Sequence, residues 1–187
     1  MFNDAKLDQF FDYYQDLRGE GAMARRSDFN PMTIRSMLPD LSVYDITSND
    51  IVYRLSGTAT IDRLGRNPVG DSLGKYVPPN QFEWLQQVVN TMLSAPCGVH
   101  VSYENRFTNG SIIQLDALGL PFETGAGQPP QIMVLHSGHQ LIGYQQAGSA
   151  TNLASRVTQA SYVALTSDPV PHLEISAVSD LQDIAAD

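Results

Sequence analysis

The sequence predicts an α+β fold, with a five-stranded antiparallel sheet, a helical crossover, an N-terminal flanking helix and a C-terminal extension. Three observations support this fold class. Five short runs alternate between apolar and polar residues, in a group of two followed by a group of three. A long amphipathic helix separates the two groups, and an aromatic-rich helix precedes the first group. With 187 residues, the chain is long enough for one packed domain and additional segments.

The strands and the crossover helices follow from local patterns. The predicted strands span residues 41–46, 51–56, 99–107, 111–122 and 131–138. Between the second and third strands, TATIDRL has helical spacing and is followed by Gly65, which is typical of a helix C-terminus. Residues 81–95 form the long amphipathic helix, with apolar side chains on one stripe.

Residues 4–18 are predicted to form the N-terminal helix, which ends at Gly19. Its apolar side chains follow helical spacing and consist of Leu7, Phe10, Phe11, Tyr14 and Leu17. A stripe this rich in aromatic residues must be covered, either by its own domain or by a second copy of the chain. We therefore divide the chain into a flanking helix (1–22), a central domain (23–138) and an extension (139–187).

The extension differs from the central domain in composition. It is rich in Ser, Ala, Gln and Thr, and its end is acidic. We expect it to be helical at most around residues 152–164. The sequence leaves open whether it docks on its own domain or on a partner.

Composition excludes several classes of function. The net charge of −9 repels polyanions, so nucleic acid is not an expected partner. No apolar run approaches the length of a membrane span, and the N-terminus lacks the apolar segment of a signal peptide. We therefore expect a cytoplasmic protein with no membrane partner. The single cysteine, Cys97, excludes an intrachain disulfide bond and a cysteine-based metal site.

Residues 65–72, GRNPVGDS, come close to a phosphate-binding loop but do not fit its chemistry. Such a loop uses consecutive backbone N–H groups and a lysine to hold phosphates. Here Pro68 removes one N–H group, and Asp71 places a carboxylate where the lysine is needed. His136 and His139 lack further metal ligands, and no hydrolase or kinase motif is present. We therefore expect no enzyme, no metal and no cofactor.

The chain resembles a known family in three segments. These are RRSDFNPMTIRSMLPDLSVYDI, then YRLSGTATIDRLGRNPVGDSL, then LGLPF before the final strand. Together they resemble the PAS-like family found mainly in alphaproteobacteria, over about residues 7–138. The resemblance implies a PAS-like sheet with a cavity between one sheet face and the crossover helices. It also implies that Thr58 begins the first crossover helix as its cap and that the N-terminal helix stripe forms a homodimer surface.

The strand at 51–56 divides its side chains between two faces. Simple alternation places Tyr53 and Leu55 on the cavity side and Arg54 on the opposite side. The expected ligand-binding residues are Tyr53, Leu55, Thr58, Ile61, Leu64 and Trp84. Arg54 is expected to be a buried structural anchor, because a buried arginine needs a carboxylate or several carbonyl groups.

The resemblance implies a sensory or signalling module that acts on another protein. It would bind a small molecule, a protein partner, or both. The alternative is a structural adaptor with a filled core and no ligand. A cavity with converging polar groups favours the sensor, whereas a dry and filled core favours the adaptor.

Overall fold

A seven-stranded sheet organises the chain in the computed structural model, which describes residues 2–143 and 152–173. The strands are β1 Ala24–Arg25, β2 Leu41–Ile46, β3 Ile51–Ser56, β4 Cys97–Phe107, β5 Ile112–Glu123, β6 Gln131–Gly143 and β7 Asn152–Ala164. The main path runs β3-β2-β6-β5-β4-β7, and its strands are antiparallel. The predicted strands 41–46 and 51–56 are confirmed at both ends.

The prediction of five strands is wrong by two. The two-residue β1 pairs in parallel with the end of β5, beyond the segment that pairs with β4. The larger difference is β7, since we expected residues 152–164 to be helical at most and outside the domain. They pair with the whole of β4, whose backbone groups would otherwise form an open sheet edge. This tertiary pairing overrides a weak local preference.

In the described part of the chain, three α-helices connect or cover the strands. They are α1 Ala5–Arg18, α2 Thr58–Leu64 and α3 Pro79–Ser94. The predicted helices at 4–18 and 81–95 are therefore confirmed within two residues at either end. Within the described residues, no helix combines the length and the apolar character that crossing a membrane requires.

Helix α1 packs on one face of the sheet. Asp4 caps its N-terminus, since the side-chain Oδ1 accepts hydrogen bonds from the backbone N–H groups of Lys6 and Leu7. Along the helix, Leu7, Phe10 and Tyr14 have no exposed surface. They lie in an apolar cluster with residues of β2, β5 and β6, such as Leu118.

The predicted homodimer surface on α1 is therefore wrong for three of its five residues. Leu7, Phe10 and Tyr14 are covered by the sheet of the same chain. Phe11 and Leu17 are partly buried against the same cluster. Of the two alternatives that the stripe left open, the structure shows coverage by its own domain.

Helix α2 begins where the chain passes very close to the turn before β2. A Cβ atom on Gly57 would lie 2.3 Å from the carbonyl oxygen of Pro39, so no larger residue fits there. Gly57, and not Thr58, is the N-cap residue, and no side chain caps this helix. The predicted end is confirmed, because Gly65 adopts a left-handed conformation with φ 68°.

Candidate functional site: a cavity beneath the crossover helices

A cavity of about 150 Å³ lies between the sheet and the crossover helices, on the face opposite α1. Most of its wall is aliphatic, which follows from the apolar stripe of α3 facing the strands. Val88 and Met92 of α3 oppose Ile132 of β6 across it. The fold therefore leaves this core incompletely filled.

Tyrosine side chains form one part of the wall. Tyr44 and Tyr53 pair directly across β2 and β3, with ring centroids 4.6 Å apart. Tyr76 packs edge-on against Tyr53 at 5.6 Å. Burial raises the pKa of Tyr44 and Tyr53 well above the usual value for tyrosine, so both hydroxyls stay protonated at neutral pH.

Tyr103 and His136 add a second polar pair to the wall. Tyr103 stands on β4 and His136 on β6, and a 2.8 Å hydrogen bond joins the tyrosine hydroxyl to Nδ1 of the histidine. Burial also raises the pKa of Tyr103. The pair bridges two strands that are separated in the sheet by β5.

Arg63 of α2 brings a positive charge to the cavity wall. Its side chain is only 9% exposed, and its Nη2 donates a 2.9 Å hydrogen bond to Oγ1 of Thr60. Its Nη1 lies 3.5 Å from Oδ1 of Asp40. The charge of Arg63 offsets part of the burial effect on the pKa of the three wall tyrosines. The guanidinium group therefore acts on the same polar region.

Residues of β7 close the cavity on one side. The buried Gln81 side chain accepts a 2.9 Å hydrogen bond from the backbone N–H of Val157 and donates to the carbonyl oxygen of Ser155. Oγ of Ser155 donates to Oδ1 of Asn105 at 2.8 Å. Part of the segment that we assigned to a separate extension thus supplies the cavity wall.

The predicted ligand-binding residues fall into two groups. Tyr53 and Leu64 line the cavity. Trp84 is buried in the surrounding apolar cluster, without lining the cavity, and Ile61 is half-buried outside it. Thr58 is exposed at the start of α2.

The sequence prediction put Leu55 and Arg54 on the wrong faces of β3, because a β-bulge interrupts the alternation in this strand. Tyr53 pairs with Tyr44, whereas Leu55 pairs with Val43, so Arg54 is the extra residue. Leu55 consequently leaves the cavity face and is 45% exposed. Arg54 is exposed and is not the buried anchor that alternation predicted.

The sequence reasoning missed Arg63, Tyr44, Tyr103 and the cavity position of His136. Tyr44 and Tyr103 lie in predicted strands, and their alternation with polar neighbours offered a signal. Arg63 offered none, because a single arginine on a short helix is ordinarily exposed. The side chain of His139, residues 144–151 and residues 174–187 lie outside the described part of the chain.

The near-phosphate loop has a structural role. Gly70 N–H donates to the carbonyl oxygen of Tyr53, and the Tyr53 N–H donates to that of Asp71, so the loop covers the edge of β3. The Asp71 carboxylate pairs with Arg66 and Lys75. Cys97 is also buried, and burial raises its pKa to about 11, which disfavours a reactive thiolate.

Fold and cavity together define a class of protein. Two strands, the crossover helices and the four other strands of the main sheet path border a cavity on one sheet face, which is an arrangement suited to binding a small ligand. A family model described as PAS domain matches residues 2–136. The chain belongs to the PAS domain family, whose members are generally non-catalytic modules that bind small molecules or mediate protein interactions. No curated protein matches the chain.

Proposed function

We propose that this protein is a non-enzymatic sensory module that binds a small molecule in its cavity and acts in trans on a partner protein. The observation that carries the proposal is the cavity of about 150 Å³. Packed protein cores contain few voids larger than a water molecule. A mostly apolar wall with a small number of polar groups, here an arginine and several tyrosines, is typical of a ligand site.

The structural adaptor is the weaker alternative. It requires a filled core, and one face of the sheet meets that condition while the other does not. The resemblance to family members found mainly in alphaproteobacteria and a cytoplasmic location stay predictions within this proposal.

A homodimer also stays a prediction, but its contact surface is not the apolar face of α1. The face of α1 that we first assigned to it is covered by the sheet. The contact therefore belongs to some other surface. Multi-angle light scattering of the purified chain measures the oligomeric state directly.

Native mass spectrometry of the freshly purified protein tests the cavity. We expect extra mass under native conditions that is lost on denaturation. Replacing Ala117, which lines the cavity, by Leu should reduce the bound fraction, because the larger side chain occupies the same space. Met32→Leu is the control, since Met32 is 67% exposed and does not line the cavity.

The contrary result has two parts. The protein would carry no extra mass, and neutral aromatic compounds would leave the NMR signals of the cavity residues unchanged. Together these results would favour the adaptor.

A further inference from the structure

Charge is distributed unevenly around the cavity. Aliphatic side chains make up most of the wall, while its polar groups include Arg63, Tyr44, Tyr53 and Tyr103. The rings of Tyr44 and Tyr53 lie side by side with centroids 4.6 Å apart, and Arg63 and Tyr103 line the same cavity. A ligand that fits this wall has an apolar body and one polar end.

The Asp40 carboxylate lies behind this region. Asp40 is paired with two cations, Arg63 on α2 and Lys6 on α1. The Asp40 side chain is only 13% exposed, so its pairing with Arg63 lies away from most of the solvent. A guanidinium group that is desolvated in this way attracts anions, and a carboxylate is its best-matched partner.

The cavity volume limits the ligand. An engineered protein cavity of roughly 150 Å³ takes up benzene, so about one aromatic ring fits this space. An anionic group with two oxygens suits the planar guanidinium group and can accept hydrogen bonds from protonated tyrosine hydroxyls. A cationic ligand would be repelled by Arg63.

We propose that the ligand is a small carboxylic acid with an apolar body of about six carbon atoms, bound as its anion. Its carboxylate contacts Arg63 and the hydroxyl groups of Tyr44, Tyr53 or Tyr103. Its apolar part lies against the aliphatic residues of α3 and β6. This proposal rests on the proposed function, because it names the ligand class of the same cavity.

Calorimetric titration of the full chain with matched pairs of small molecules tests the ligand class. The probes are benzoate with benzyl alcohol and hexanoate with hexanol, and benzylamine serves as the cationic probe. We expect each acid to bind at least about tenfold more tightly than its alcohol, since a charged partner roughly doubles hydrogen-bond strength. Benzylamine should not bind.

Two variants connect the effect to Arg63. Arg63→Gln should reduce the affinity for benzoate by about tenfold or more, to the level of benzyl alcohol, whose own affinity stays within about twofold. Arg54→Gln is the matched control, because Arg54 is exposed on β3. Asp40→Asn should strengthen benzoate binding several-fold, since Asp40 no longer competes for Arg63. If the Arg63→Gln variant does not fold, Asp40→Asn still tests whether Arg63 binds the carboxylate.

The outcomes separate the two proposals. Equal binding of acids and alcohols, or benzoate binding that Asp40→Asn leaves unchanged or weakens, would overturn the ligand class while the cavity remains a binding site. If no probe binds and the purified protein carries no extra mass, both proposals fail. Tighter binding of the acids that depends on Arg63 supports both.

Discussion

The two faces of the sheet are packed differently. On one face, which we call the filled face, α1 packs directly against the sheet, and Leu7, Phe10 and Tyr14 have no exposed surface. On the other face, α2 and α3 leave a cavity of about 150 Å³. The two faces share the same strands, so the difference comes from the side chains and helices that meet each face.

Polar groups explain much of this difference. On the filled face, the Tyr14 hydroxyl donates a 2.7 Å hydrogen bond to the carbonyl oxygen of Pro121, and its ring packs edge-on against Phe122. The polar atom is satisfied where the ring is buried, so packing and hydrogen bonding agree. On the cavity face, Tyr44, Tyr53 and Arg63 bring polar groups to the wall, and close aliphatic packing over them would leave them desolvated.

Leucine truncation on each face is the strongest test of this comparison. Leu118→Ala on the filled face should cost about 4 kcal/mol, because the mutation opens a new void in a tightly packed cluster. Leu64→Ala should cost about 2 kcal/mol, because Leu64 borders an existing space and loses fewer contacts. Urea unfolding followed by circular dichroism measures both. Equal losses would contradict the difference between the faces.

Enlarging an alanine on each face should give opposite signs. Ala24→Val should destabilise the protein by about 1–3 kcal/mol, since Ala24 lies fully buried in the filled cluster. Ala117→Val adds two methyl groups to the cavity and should stabilise by about 1 kcal/mol. Thermal unfolding compares the two variants with wild type. If Ala117→Val destabilises as much as Ala24→Val, the space is not available to added carbon atoms.

Much of the fold was predictable because its patterns are local. The strands β2 and β3, the helix α3 and the left-handed Gly65 follow from alternation, helical spacing and capping preferences that neighbouring residues define. β7 was not predictable in this way. Its residues are rich in Ser and Ala and lack the clear alternation of the other strands, so their pairing with β4 and not their local pattern makes them a strand.

The candidate site was predictable only in part. The prediction for Tyr53 and Leu64 agrees with the structure, because the strand alternation is regular as far as Tyr53 and the helical spacing is regular as far as Leu64. The bulge at Arg54 then exchanged the faces of β3, and a one-residue insertion leaves no signal in composition. The position of Arg63 depends on Asp40, which belongs to a different segment and joins it only after folding.

The smallest effect concerns the attachment of α1 to the filled face. Asp4 caps the helix and accepts a 2.6 Å hydrogen bond from Ser137 of β6. Burial raises the pKa of Asp4, but the hydrogen bonds from Ser137 and from the Lys6 and Leu7 amides outweigh it and hold the pKa below its usual 3.8. The stabilisation that the Asp4 carboxylate provides is therefore complete above pH 3.8 and is lost as the pH falls through the lowered pKa.

Asp4→Ala should cost about 1 kcal/mol at pH 7, and the difference from wild type should narrow in acid. Asp4→Asn is the control, because asparagine keeps the cap without a titrating charge. Urea unfolding between neutral and acidic pH measures both variants, and an Asp4→Ala deficit that is independent of pH would show that the carboxylate charge does not hold α1 to the sheet.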